Sequence, residues 1–107
     1  MSVALKPEPK GARIRGLRPE TVLAIVIAEG CYRDAGCGHC IITSGTDGTH
    51  SPQSLHYAGA AFDLRTKDLE MAKVLDLVRL LRGRLGVDFD IVHESDHIHV
   101  EYQPRGE

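Results

Sequence analysis

No charge of either sign dominates this chain. Its 107 residues carry 13 basic and 15 acidic side chains, a net charge of −2 at neutral pH. Aromatics are scarce, with three tyrosines and two phenylalanines. A nucleic-acid surface needs clustered cations, usually with stacking rings between them, so no nucleic-acid partner is expected. The charges do not gather into a membrane-surface patch either. No apolar run approaches the roughly 18–20 residues that cross a bilayer, so no membrane partner is expected. The first ten residues lack the basic start, apolar stretch and small-residue cleavage site of a secretory signal, which predicts a chain cytoplasmic as synthesised. Any action outside the cell then depends on release or export. The three cysteines are an odd number, which argues against a closed disulfide framework and for a reducing compartment. Repeats and low-complexity segments are absent.

What remains is an ordinary globular composition, 42% hydrophobic and 26% charged, at a length where one core becomes self-sufficient. A single domain over residues 13–107 is predicted, preceded by an arm over residues 1–12 in which Pro7, Pro9 and Gly11 leave little to bury. Pro19 suits a first helical position, and Val22, Leu23, Ile25, Val26 and Ile27 follow it. The block predicts a core helix over residues 19–33 with Gly30 as a weak point, strand being the alternative because β-branched residues abound. A Gly- and Cys-rich loop over residues 36–40 leads to a short strand at Ile41, Ile42 and Thr43. Residues 46–52 are dense in turn formers and read as a long loop.

Residues 60–65 read as a strand. Its alternation puts Phe62 and Leu64 on one face and Ala61, Asp63 and Arg65 on the other. Residues 68–85 form the clearest helix, with Leu69, Ala72, Leu75 (beside Val74), Val78 and Leu81 at helical spacing and Gly83 and Gly86 ending it. Two strands, residues 89–93 and 97–102, flank the turn Glu94-Ser95-Asp96 as an antiparallel hairpin. In the second, His97, His99 and Glu101 share a face, and Ile98, Val100 and Tyr102 share the opposite one.

Across these elements a divided set of metal-seeking side chains recurs. His56 is followed seven positions on by Asp63, and a His-x-His pair, His97 and His99, closes the chain's last strand. Two imidazoles and a carboxylate suit zinc and leave a fourth position for water, the arrangement of hydrolytic rather than structural sites. If the strands of Asp63 and His99 are neighbours, the three groups can converge. Cys31, Cys37, His39 and Cys40 form a second tempting string. Structural zinc sites come as two spaced ligand pairs, however, so thiols buried or in loops are expected there instead. Arg65, on Asp63's face, could bind a substrate carboxylate bidentately. Ser54 could orient a ligand or cap the turn before His56.

The segments Ser54-Leu55-His56-Tyr57-Ala58-Gly59-Ala60-Ala61-Phe62-Asp63 and Glu94-Ser95-Asp96-His97-Ile98-His99-Val100 resemble the zinc D-alanyl-D-alanine carboxypeptidases and their relatives. Among these are L-alanyl-D-glutamate endopeptidases and hedgehog signalling domains, and the wording is closest to hedgehog-like members. The resemblance covers about 60 residues in two blocks and implies several things. The fold would be a small α+β domain, an antiparallel sheet carrying the metal with helices packed on the opposite face. One Zn2+ would be held by His56, Asp63 and His99. Asp96, three residues before His99, would be the catalytic base, with Glu94 as second choice because its spacing is one residue shorter than in hedgehog-like members. His97 would steady the oxyanion or shuttle a proton, and His50 would line the cleft, while His93 is peripheral. Hedgehog relatives also bind calcium through clustered carboxylates. The corresponding stretch Thr43-Ser44-Gly45-Thr46-Asp47-Gly48 has one, so no calcium site is expected.

The activity so implied is hydrolysis of stem peptides in bacterial peptidoglycan, of carboxypeptidase or endopeptidase type, by a small endolysin-like monomer. The alternative is a non-catalytic hedgehog-like zinc-binding interaction domain. A hydrolase of another amide is the third option.

Overall fold

The computed structural model describes residues 3–7, 12, 14–45 and 59–104. Two helices and five strands follow in the order β1 (Val3–Leu5), α1 (Pro19–Asp34), β2 (Cys40–Ser44), β3 (Ala61–Arg65), α2 (Met71–Leu85), β4 (Phe89–Glu94) and β5 (His97–Tyr102). This is a small α+β fold. The strands form one sheet in the order β1-β2-β3-β5-β4. Every neighbouring pair is antiparallel except β1 and β2, which run parallel. The sheet is therefore mixed, not antiparallel as expected. The reason lies in the predicted arm: Val3, Ala4 and Leu5 pair with Cys40, Ile41 and Ile42 and extend the sheet edge. A three-residue edge strand exposed along its length gives almost no hydrophobic pattern to read.

Alternation on the strands separates the two faces of the sheet. Ile42, Phe62, Leu64, Ile91, Ile98 and Val100 meet Ala24, Ile25, Ala28, Cys31 and Tyr32 of α1 and Val74, Leu77, Val78 and Leu81 of α2 in one buried cluster. Each large aliphatic or aromatic side chain so buried contributes about 1.5–3 kcal/mol. Polar ties fix the layers. Tyr32 Oη donates to the carbonyl of Arg65 (2.7 Å), Arg82 donates to the carbonyl of Ile91 (2.9 Å), and Arg84 bridges to Asp34 (2.7 Å). With both helices on that side, Asp63, His97, His99 and Glu101 occupy the other.

The helices depart from expectation in detail. Of the apolar block in α1, only Ile25 is buried, while Leu23 and Val26 are each 63% exposed. The helix rests on its small residues, Ala24 and Ala28, because its surface is apolar all round and close approach to the sheet decides the inward side. Gly30 does not interrupt it; the helix runs to Asp34 with Gly30 covered by the guanidinium groups of Arg33 and Arg84. In α2 the buried stripe is Val74, Leu77, Val78 and Leu81, a closer match to i, i+3, i+4, i+7 than the stripe expected through Ala72 and Leu75, which are exposed. Gly83 lies inside the helix, and Gly86, at φ 81°, ends it.

Candidate metal centre

The site is built on the two central strands. β3 and β5 pair so that Asp63 stands directly opposite His99, with Ala61 opposite Glu101 and Arg65 opposite His97. Directly paired side chains on one face lie within about 4.5–5.5 Å at Cβ, so register alone brings a carboxylate and an imidazole together. His99 Nδ1 is 2.9 Å from Asp63 Oδ1, and its Nε2 is 3.0 Å from Glu101 Oε1. Gln103 in turn donates to the other oxygen of Glu101. The hydrogen bond to Asp63 holds the His99 pKa up at about 9, with burial opposing the shift and Glu101 assisting it. Without metal, imidazolium is thus the favoured form of His99 over most of the neutral range.

His97 sits beside this pair between the two candidate bases. Its Nδ1 is 3.1 Å from Asp96 Oδ1, its Nε2 is 3.2 Å from Glu94 Oε1, and the same Nε2 is 4.0 Å from Asp63 Oδ2. Burial works against the imidazolium here, but Asp96, Asp63 and Glu94 together raise its pKa. The bond to His97 holds the exposed Asp96 carboxyl below the usual carboxylate range. The hairpin turn places both carboxylates: Glu94 pairs with His97, Ser95 takes a positive φ of 39°, and the Asp96 carbonyl accepts from the amide of Thr66 (2.9 Å).

Next to Asp63 the open face dips into a cleft of about 280 Å³ lined by Lys6, Thr43, Ser44, Asp63, Arg65, Lys67 and Asp96. Ser44 reaches it through a register shift between Ile42 and Ser44 that sets Ser44 opposite Asp63. Arg65 pairs with Asp68 (3.0 Å) at one end of its guanidinium, and its buried Nε has no partner among the described residues.

The donor chemistry of the pair fits zinc. Two donors at about 2.0–2.1 Å from a tetrahedral ion lie about 3.3–3.4 Å apart. The 2.9 Å separation of His99 Nδ1 and Asp63 Oδ1 is within a small side-chain adjustment of that. Glu101 on the far nitrogen supplies the carboxylate that metal-bound histidines commonly carry behind them. Asp63 and His99 could therefore serve as two of three ligands. The third expected ligand, His56, lies outside the described residues, as do His50, Ser54 and Asp47. Among the described residues no group of three or more His, Cys, Asp or Glu side chains is arranged to hold a metal ion.

Other expected residues fall elsewhere. His93 pairs with Ile98, which puts it on the helix side of the sheet. Cys31 and Cys40 are buried, Cys37 half-buried, and all three are free thiols. Burial raises their pKa values, that of Cys40 to about 12. They pack among core residues as small hydrophobes. Sequence reasoning put Glu101 on the same strand face as His97 and His99 but gave it no role at the site. It passed over Lys6 and Lys67, for which the sequence carries no comparable signal.

Comparison with curated proteins finds no match. Residues 35–101 match the model of the hedgehog amino-terminal signalling domain, a span that holds Asp63, the hairpin and His99. With well over half of its length in that match, the chain belongs to the hedgehog amino-terminal signalling domain family.

Proposed function

We propose that the chain is a zinc-dependent peptidase acting on the stem peptides of bacterial peptidoglycan. The observation that carries this reading is the cross-strand pair Asp63 and His99, backed by Glu101 and set beside an open polar cleft. His56 is assigned as the third ligand by the motif that contains it. Zinc bound there would supply Lewis acidity to a scissile carbonyl and to the attacking water.

The remaining steps belong to the chain's own groups. Asp96 lines the cleft and takes the proton of the water; Glu94, on the other side of His97, is the second choice. His97, whose charged form three carboxylates favour, donates to the developing oxyanion. Glu101 fixes the ring of His99 so that one nitrogen faces Asp63. Reaching the wall would require release or export.

A second reading, a non-catalytic zinc-binding interaction domain, draws on two observations. The family is a signalling one, and Asp96 is held by His97 at a pKa that weakens it as a base. One experiment separates the two. Purified peptidoglycan is digested with zinc-loaded protein, with and without chelator, and the muropeptides are weighed by mass spectrometry. Asp96→Asn, Glu94→Gln and His97→Ala are run in parallel. Chelator-sensitive release of peptides, lost in one or more variants that still bind zinc, supports the peptidase. Full zinc occupancy with no cleavage of wall or of D-alanyl-D-alanine peptides leaves the interaction domain.

A further inference from the structure

The middle of α1 is apolar without interruption from Val22 to Ala28, so that stretch is apolar on every side. A helix of that kind is ordinarily covered all round. Here the core takes only the side of Ala24, Ile25 and Ala28. Leu23 and Val26 are each 63% exposed, Val22 45% and Ile27 37%, together about two complete aliphatic residues left in water. Exposed aliphatics scattered singly need no explanation, but these four are contiguous. They form two adjacent rows at i, i+4 spacing, Val22 with Val26 and Leu23 with Ile27. Beside the second row runs a groove of about 260 Å³, shared between Leu23, Ala24 and Ile27 of α1 and Leu85, Phe89 and Tyr102 from the ends of α2, β4 and β5. No charged side chain interrupts the helix between Val22 and Ile27.

We propose that this face of α1 is the contact surface of a two-fold dimer, in which a second copy of the chain lays its own α1 across Leu23 and Val26. The face suits a copy of itself. Two parallel i, i+4 ridges with a furrow between them are what ridges-into-grooves packing asks of both helices, and a two-fold axis presents the same patch from each side. With the axis between Leu23 and Val26, Leu23 of one copy meets Val26 of the other. Area sets the strength. With the groove wall included the face falls among the roughly 300–600 Å² patches that are the largest on monomers. Doubled across the axis, it just reaches the about 1,000 Å² that a specific interface must clear. The dimer is therefore weak, with a dissociation constant on the order of 10–100 µM. Asp63 and His99 lie on the opposite side of the sheet from α1, so pairing leaves both metal centres open and turned away from the contact. A dimer so built can engage a repetitive target through two sites at once, whether the centre cleaves that target or only binds it.

The test is sedimentation equilibrium of the full-length chain from about 5 µM to about 1 mM, which brackets that affinity. Wild type should pass from monomer to dimer across the range. Leu23→Lys and Val26→Glu, both at exposed positions, should keep the circular dichroism and urea midpoint of wild type. Each should weaken the dimer at least about 10-fold, because pairing would bury an unpaired charge. An equimolar mixture of the two variants should recover dimer, since the two introduced charges then face each other across the axis. A wild-type chain still monomeric at about 1 mM leaves the face to another kind of partner and overturns the proposal. So does a dimer that both variants retain at full strength, which would use a different surface. A mixture that associates no more tightly than either variant alone overturns the two-fold pairing of Leu23 with Val26.

Discussion

At the residue scale the decisive fact is how few groups make the centre. Asp63 and His99 meet through cross-strand register, so each could be named in advance from position on a strand face together with motif. Glu101 could have been named by the same alternation. Arg65 was legible in the same way, but the two cleft lysines were not, because a lysine beside a proline-rich start and one after a strand look alike in sequence whether they line a cleft or face water. Two outcomes follow for these side chains. Asp63→Ala or His99→Ala should abolish stoichiometric zinc after reconstitution and dialysis, read by elemental analysis, against one ion per wild-type chain. Retention of a full equivalent by either variant would break the assignment. Glu101→Gln should keep the fold by circular dichroism while weakening zinc by about 10–100-fold, the usual consequence of removing the carboxylate behind a ligating histidine. An unchanged affinity would mean that Glu101 does no more than solvate the ring.

At the element scale, the two central strands bring Asp63 and His99 together, and the turns place the carboxylates beside them. Strand existence was legible from period-two alternation, and both central strands lie within a residue of where the pattern puts them. The inward side of α1 was not legible, since a helix apolar on every side carries no moment to orient it; contact with the sheet chose Ala24 and Ala28. Two backbone positions carry the loops. Gly59 has a φ of 73°, and its carbonyl accepts from the amide of Arg18 (2.9 Å) and the hydroxyl of Thr21 (3.0 Å). A Cβ there would run into the carbonyl of Gly16. Gly59→Ala should therefore lower stability by more than about 2 kcal/mol in urea unfolding, combining overpacking with an unfavourable φ. Ser95 is the reverse case, a non-glycine residue at φ 39° in the turn that places Glu94 and Asp96. Ser95→Gly relieves strain of about 1–3 kcal/mol but adds unfolded-state entropy of about 0.5–1 kcal/mol, so the urea midpoint should rise slightly. A fall in that midpoint would show that the serine side chain contributes more than its backbone strain removes.

On the scale of the whole molecule, the two helices and the buried sheet face form one core, and the polar chemistry is confined to the other face. That division explains why the odd cysteine count carries structural information. Cys31 and Cys40 are core members at the junction of α1 and β2, and Cys40 is held neutral by burial, its pKa pushed up to about 12 from an ordinary 9.0. Tyr32 beside them is raised for the same reason. Both groups bind their proton more tightly folded than unfolded. The stability this contributes is fully present below pH 9, where both states keep the thiol proton, and it is lost as pH climbs toward about 12, where the unfolded chain has released it and the folded chain still holds it. Urea midpoints of metal-free protein should thus fall steadily above pH 9. Cys40→Ala should begin lower, because a packed side chain is lost, and then decline less steeply over pH 9–11, since Cys31, Cys37 and Tyr32 still titrate differently but the Cys40 contribution is gone. Parallel curves for wild type and variant would mean that the Cys40 thiol ionises as readily in the fold as out of it. That result would place Cys40 in contact with water and dissolve the junction between α1 and β2 that supports the sheet edge carrying Lys6.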